Sequence, residues 1–219
     1  MGTQNARFYS GAGAGSAIAF FLAALSFSPK AGAVIINPGQ TETPTGTETV
    51  SGSVADSLPS IPFAGTNASS IVVFTGTISS QAVLDSSTGD YDFLYQFTNN
   101  PNSLDTIEHL TVGGYTGFTT DADYLAGTNV APTPVTRSAS GDNIGFEFLA
   151  SNAVPQGATT DVLFVKTDAT SYTIGNAVVQ DGGNGSVAVI VPNTVPEPAT
   201  ASLICVSAGA LCLRRRRKA

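Results

Sequence analysis

Between residues 34 and 193 the side chains best suited to proton transfer, nucleophilic attack or metal binding are one histidine and fifteen carboxylates; both cysteines, Cys205 and Cys212, lie further on. A Ser-His-Asp triad would have to use His109, and no Gly-x-Ser-x-Gly elbow accompanies it. One histidine without a thiol also falls short of a zinc ligand set. The carboxylates come in two close pairs, Asp90-Tyr91-Asp92 and Asp121-Ala122-Asp123. A spacing of i and i+2 puts both acids on one face of a strand, or makes half of a calcium site in a loop. Asp85 and Asp90 flank a Ser/Thr/Gly loop, so a loop Ca2+ is the one cofactor these acids suggest. A glycosidase pair would come from Asp92, Glu108, Glu147 or Asp161, with nothing in the sequence to select two of them. The chain has no tryptophan, the commonest platform for sugar stacking. Tyr91, Tyr95, Tyr115, Tyr124 and Tyr172 read more simply as core or sheet surface. Asn67-Ala68-Ser69 and Asn184-Gly185-Ser186 match glycosylation acceptors that need a glycosylating host. The expectation is therefore a protein that is not an enzyme, with no catalytic, cofactor-binding or metal residue.

The elements that carry these residues read as strands. Residues 91–98 (YDFLYQFT) put Tyr91, Phe93, Tyr95 and Phe97 on one face and Asp92, Leu94, Gln96 and Thr98 on the other. Residues 144–149 alternate too, with Ile144, Phe146 and Phe148 inward and Gly145 and Glu147 outward. Further strands are predicted over 70–79 (with Gly76 as a bulge), 81–84, 107–112, 161–167, 171–180 and 187–191. The turn Asp181-Gly182-Gly183-Asn184-Gly185 joins the last two as a hairpin. No stretch shows three turns of helical periodicity. Short strands between Gly, Asn and Pro turns predict an all-β domain over 61–193, an antiparallel β-sandwich, with a jelly roll as the nearest variant and a barrel as a further alternative. Residues 34–60, rich in Thr, Ser, Gly and Pro, predict a linker with one edge strand at 34–36.

Charge narrows the partners. Between residues 34 and 193 only Arg137 and Lys166 are basic against fifteen acids, a net of −13, although the whole chain is at −7. Phosphate recognition needs clustered Lys and Arg, so nucleic acid is excluded as a partner. Without thiols the body cannot hold a disulfide and must rest on its core.

Both ends read as addresses. Arg7 is the only charged side chain among the first 29 residues, and an 11-residue apolar run follows at 17–27. That is the length of a signal-peptide core and too short to span a bilayer. Ala31-Gly32-Ala33 supplies the small-x-small cleavage pattern, so residues 1–33 read as a signal peptide cut after Ala33. The other end, 194–219, carries Pro196-Glu197-Pro198, an apolar run at 199–213 and the basic stop Arg214-Arg215-Arg216-Arg217-Lys218. Fifteen apolar residues make a helix of roughly 22 Å, short of the roughly 20 residues of a comfortable span. The basic stop would stay cytoplasmic and place the body outside.

In that order and place, the three parts closely resemble the PEP-CTERM sorting signal of Gram-negative-type bacteria. The resemblance implies that an exosortase, a membrane transpeptidase-like enzyme, recognises Pro196, Glu197 and Pro198 and processes the chain for export. It implies a transient inner-membrane anchor through the C-terminal transmembrane helix, then the cell surface or extracellular matrix. Residues 88–118, TGDYDFLYQFTNNPNS followed by LTVGGYTGF, are similar to the bodies of many exported PEP-CTERM proteins, which adds to the β-rich reading. The function expected is a structural or adhesive component of the exopolysaccharide matrix or cell envelope. The alternatives are a carbohydrate-binding module and, after it, a secreted glycoside hydrolase. An aromatic platform beside a polar groove would mark the first alternative, and two carboxyls facing across a cleft the second.

Overall fold

The computed structural model describes residues 35–193. The predicted signal peptide with Ala31 and Ala33, the sorting motif Pro196, Glu197 and Pro198, the apolar run and the basic stop lie outside the described residues. Eleven strands run through the described part: β1 (Thr41–Glu42), β2 (Gly52–Thr66), β3 (Val72–Asp85), β4 (Tyr91–Asn99), β5 (His109–Val112), β6 (Thr120–Leu125), β7 (Val135–Arg137), β8 (Ile144–Glu147), β9 (Val162–Thr167), β10 (Tyr172–Asp181) and β11 (Gly183–Pro192). One 3-10 turn, Ala150–Asn152, completes the regular structure. No helix among the described residues is long and apolar enough to cross a membrane.

All strand neighbours pair antiparallel, in the order β1-β7-β8-β5-β10-β11-β2-β3-β4-β9-β6. The expected all-β antiparallel class is what the described residues adopt, with their strands in one curled sheet. The sheet is nearly divided in the middle, because β11 meets β2 in register at one residue pair, Asn184–Thr66. Two glycines permit that crossing. A Cβ on Gly183 would lie 2.9 Å from the Thr66 carbonyl carbon, and one on Gly185 2.7 Å from the Ala64 oxygen. Past this corner the two halves fold face to face: the Ile190 amide of β11 donates to Ser80 Oγ of β3 (3.0 Å), and Tyr95 of β4 donates to the Ile190 carbonyl (2.8 Å).

Period-two sequence fills the space between the halves. Phe93, Tyr95 and Phe97 point inward from β4, and Ile144, Phe146 and Phe148 from β8 and the residue beyond it; all are essentially buried. Phe97 meets Phe148 edge-on at 5.5 Å, and Phe93 meets Tyr115 at 6.3 Å. Each fully buried ring contributes about 1.5–3 kcal/mol through removal from water. This core is the aromatic face that residues 91–98 and 144–149 predict.

Several sequence expectations are corrected. Gly76 is no bulge: β3 and β4 stay in register there, and a Cβ would lie 2.2 Å from the Thr98 carbonyl oxygen and 2.4 Å from the Phe63 ring. The register shifts fall between β2 and β3, at Val54/Asp56, Leu58/Ile61 and Gly65/Thr66. The predicted strands 70–79 and 81–84 are one strand, β3. Within the stretch 34–60 predicted as linker, β2 begins at Gly52, Thr41 and Glu42 pair with β7, and Ile36 is fully buried. The first half of β2 is exposed on both faces, so it carries no burial pattern to read.

Residues 35–50 form a strap across the open seam of the curled sheet, whose two terminal edges are β6 and β7 with β1. Ile35 bridges Asp121 and the Ile36 amide donates to the Thr120 carbonyl (2.9 Å), both on β6. A few residues on, Gly39 donates to the Arg137 carbonyl (3.1 Å) and the Arg137 amide to that of Gln40 (2.9 Å), on β7. The body's only two basic residues both hold this strap. Arg137 is buried, and its guanidinium donates to the carbonyls of Ile36, Tyr115, Phe118 and Gly141 at 2.9–3.1 Å. Its planar fork can reach four acceptors at once, which a lysine could not. Lys166 donates to Glu48 at 2.7 Å.

Candidate functional site

The β10–β11 hairpin turns at Gly182, whose φ of 56° lies in the left-handed region, and so sets Gln180 opposite Asn184. Register then extends a row over five strands. Thr66 faces Asn184, Asn184 faces Gln180, Gln180 faces His109 and His109 faces Glu147. All five lie on the outer side, while Leu110, next to His109, is buried. Four of the five, all but Glu147, line a groove of about 460 Å3 walled also by Asn67, Glu108 and Asp181.

Internal hydrogen bonds decide what the groove offers a ligand. The amide oxygen of Asn67 accepts from the Ser69 and Ile71 backbone amides at 3.0 Å, and that of Asn184 accepts from Gln180 at 2.8 Å. Each asparagine thus keeps its NH2 group for a ligand. One Asp181 oxygen accepts from the Thr106 hydroxyl at 2.6 Å. His109 Nδ1 contacts Glu147, whose other oxygen takes the Thr136 hydroxyl at 3.2 Å, and His109 Nε2 stands 3.9 Å from Glu108. Amide donors beside amide and carboxylate acceptors match hydroxyl groups, which both donate and accept. The carboxylates disfavour an anionic ligand.

The four acids considered as a glycosidase pair are distributed differently. Glu108 and Glu147 come together, but on the two ring nitrogens of His109 rather than facing across open space. Asp161 is buried and accepts from the Asn129 amide at 3.1 Å. Asp92 is buried on the outer side of β4. Among the described residues the groove lining holds no serine, cysteine, Phe or Tyr. Tyr95 and Tyr115 are buried and share a 2.8 Å hydrogen bond, with burial pushing both phenols up. Tyr91 and Tyr172 pack edge-on at 5.1 Å, away from the groove.

A second polar cluster lies beneath the strap. Asp92 of β4 faces Lys166 of β9, which faces Asp121 of β6. Glu48 comes down from the strap, and Asp123 accepts from the Gly46 amide (2.9 Å) and the Thr45 hydroxyl (3.1 Å). One oxygen each of Glu48, Asp92 and Asp121 is buried without a hydrogen-bond partner. Burial pushes the Asp92 carboxyl up to about 7, with the Asp85 charge adding to it. Burial pushes Asp121 up to about 7 as well, with Glu48 adding. The predicted calcium loop looks different: the Ser87 hydroxyl and amide both donate to Asp85 at 2.6 Å and hold its carboxyl below the usual range. No group of three or more His, Cys, Asp or Glu among the described residues is spaced to hold a metal.

In the sequence, His109, Glu108 and Glu147 bear only on catalysis or zinc binding, Asn184 stands in the hairpin turn and a glycosylation acceptor, and Thr66 and Gln180 carry no site role. The hairpin turn was the signal for the 180–184 pair; the rest depends on register between distant strands. Comparison with protein-family profiles, curated proteins and solved structures gives no match.

Proposed function

We propose that the chain is an exported PEP-CTERM-type surface protein, an exosortase substrate, whose sandwich-like body is a structural or adhesive component of an exopolysaccharide matrix or cell envelope. The body is not an enzyme in this reading; it engages neutral polysaccharide hydroxyls through the groove at Thr66, Asn184, Gln180 and His109. The observation that carries this is the row of outward amides with donor and acceptor groups left for a ligand. Without an aromatic platform each contact is weak, and retention in a matrix comes from many copies meeting many sugar units.

The binding arm is tested by affinity electrophoresis of the purified protein in gels containing neutral polysaccharide. Retardation should occur and should be lost in a Gln180→Ala/Asn184→Ala variant. Equal retardation of both proteins would reject the groove as the contact. The export arm is tested by intact-mass measurement on protein from the native host. The mature form should begin at Val34 and lack the basic stop; a mature form still carrying Arg214 to Lys218 would leave a plain tail anchor.

A further inference from the structure

The strap is held in two different ways. At its start Ile36 is buried, hydrogen-bonded to Thr120 on β6 and to the Arg137 guanidinium. From residue 43 to residue 50 the only buried side chain is Glu48. This second half therefore lacks an apolar anchor. It rests on Thr45 and Gly46 against Asp123, on Gly46 beneath the Tyr124 ring, and on Glu48 against Lys166. Segments with few apolar contacts open locally at low cost.

Charge count makes that half conditional. Glu48 of the strap, Asp92 of β4, and Asp121 and Asp123 of β6 share one cation, Lys166 of β9. Asp85 and Asp90 of the β3–β4 turn add only negative charge from the side. The buried, unpartnered oxygens of Glu48 and Asp92 mark acceptors that a fully ionised cluster leaves uncompensated. We propose that residues 43–50 act as a proton-controlled latch on the sheet's seam: seated while the buried carboxyls hold protons, lifted around Gly46 and Glu48 as those protons leave.

The direction follows from linkage. Asp92 and Asp121 lie near 7 when covered, above the ordinary value of 3.8 that they regain in water. The closed latch therefore binds more protons than the open one, and closing is favoured at low pH and weakened as pH rises toward and past 7. Arg137 stays charged throughout, so the Ile36 end stays docked; β1 stays on β7 and β2 on β3 from Gly52 onward, and only the residues between them lift.

Amide hydrogen exchange of the full chain, read by mass spectrometry at pH 5.5, 7.0 and 8.5 and corrected for intrinsic exchange, tests this. Protection of the Gly46 region should fall by about tenfold or more between pH 5.5 and 8.5, the effect of one pH unit of net linkage. Protection at Ile36 and along β9 should stay level. In Asp92→Asn/Asp121→Asn, which mimics the protonated cluster, the Gly46 region should stay protected at every pH. Level protection of that region in the wild-type chain would overturn the latch. So would an unchanged pH response in the double variant, or in Asp92→Asn alone if the double variant fails to fold.

Discussion

The seam and the groove are both polar, both acidic and both assembled across several strands, yet their polar groups stand in opposite conditions. At the seam they are covered, and the body's two cations are engaged with backbone carbonyls and a buried carboxylate. In the groove the same kinds of side chain remain open to solvent. Under a cover an unpaired polar atom costs about 1–3 kcal/mol; in water it costs almost nothing and stays available to a ligand. Changes at the seam should therefore appear as stability and pH dependence, and changes in the groove as binding.

The largest effect should come from Arg137→Ala. It removes the donor shared by four carbonyls, three of them in segments that reach the seam from elsewhere in the chain. A loss of about 4 kcal/mol is expected, comparable with the roughly 3–5 kcal/mol of a large-to-small core change such as Phe146→Ala. Thermal melts of the purified protein should rank both far below wild type, while reducing agent should change nothing. Arg137→Lys should not restore stability, because an ammonium cannot serve four acceptors in that fork geometry. A wild-type melt for Arg137→Ala would mean that the strap is not fastened as described.

A smaller effect, opposite in sign, belongs to the carboxylates under the strap. Asp92 is raised by burial, so its ionisation costs folding stability that is absent below about 3.8, grows as pH rises and is complete above about 7. Asp92→Asn should thus stabilise the protein by about 1–2 kcal/mol at pH 8.5 and leave it unchanged near pH 4, after allowance for partial solvent screening. Denaturant melts at the two values give the comparison. Destabilisation by Asn at pH 8.5 would show that the charged carboxylate is wanted where it sits.

These contrasts explain which parts the sequence could disclose. Alternation in residues 91–98 and 144–149 was legible because one face is buried among aromatic rings and the other is not. β6, sequence TDADYL, was not legible as a strand: its outward acids are covered by the strap, so polarity there reports a lid rather than solvent. β2 was missed for the opposite reason, since much of it is exposed on both sides. The scarcity of basic residues was visible at once, but their task was not, because Arg137 acts on backbone carbonyls, which leave no mark in side-chain sequence. In the groove, Gln180 and Asn184 are paired by a turn that Gly182 and Gly183 announce. His109 joins them through β5, whose pairing with β10 brings together residues far apart in the chain.

The smallest stability effect is expected at His109, and it bears most directly on the groove. Its side chain is 34 % exposed and lies between Glu147 and Glu108. Exposed pairs of this kind contribute about 0–1 kcal/mol. After the ring is removed Glu147 keeps the Thr136 hydroxyl at 3.2 Å on one oxygen, and the oxygen that met His109 turns to water in the space the ring leaves. His109→Ala should then change the melt by no more than about 1 kcal/mol, the upper end for a partly exposed pair. The same variant should weaken retardation in polysaccharide gels, since it removes one member of the row without disturbing the strands. A loss above about 1.5 kcal/mol would place His109 in the load of the sheet. The row from Thr66 to Glu147 would then be a stabilising ladder, and its polar groups would not be free for sugar hydroxyls.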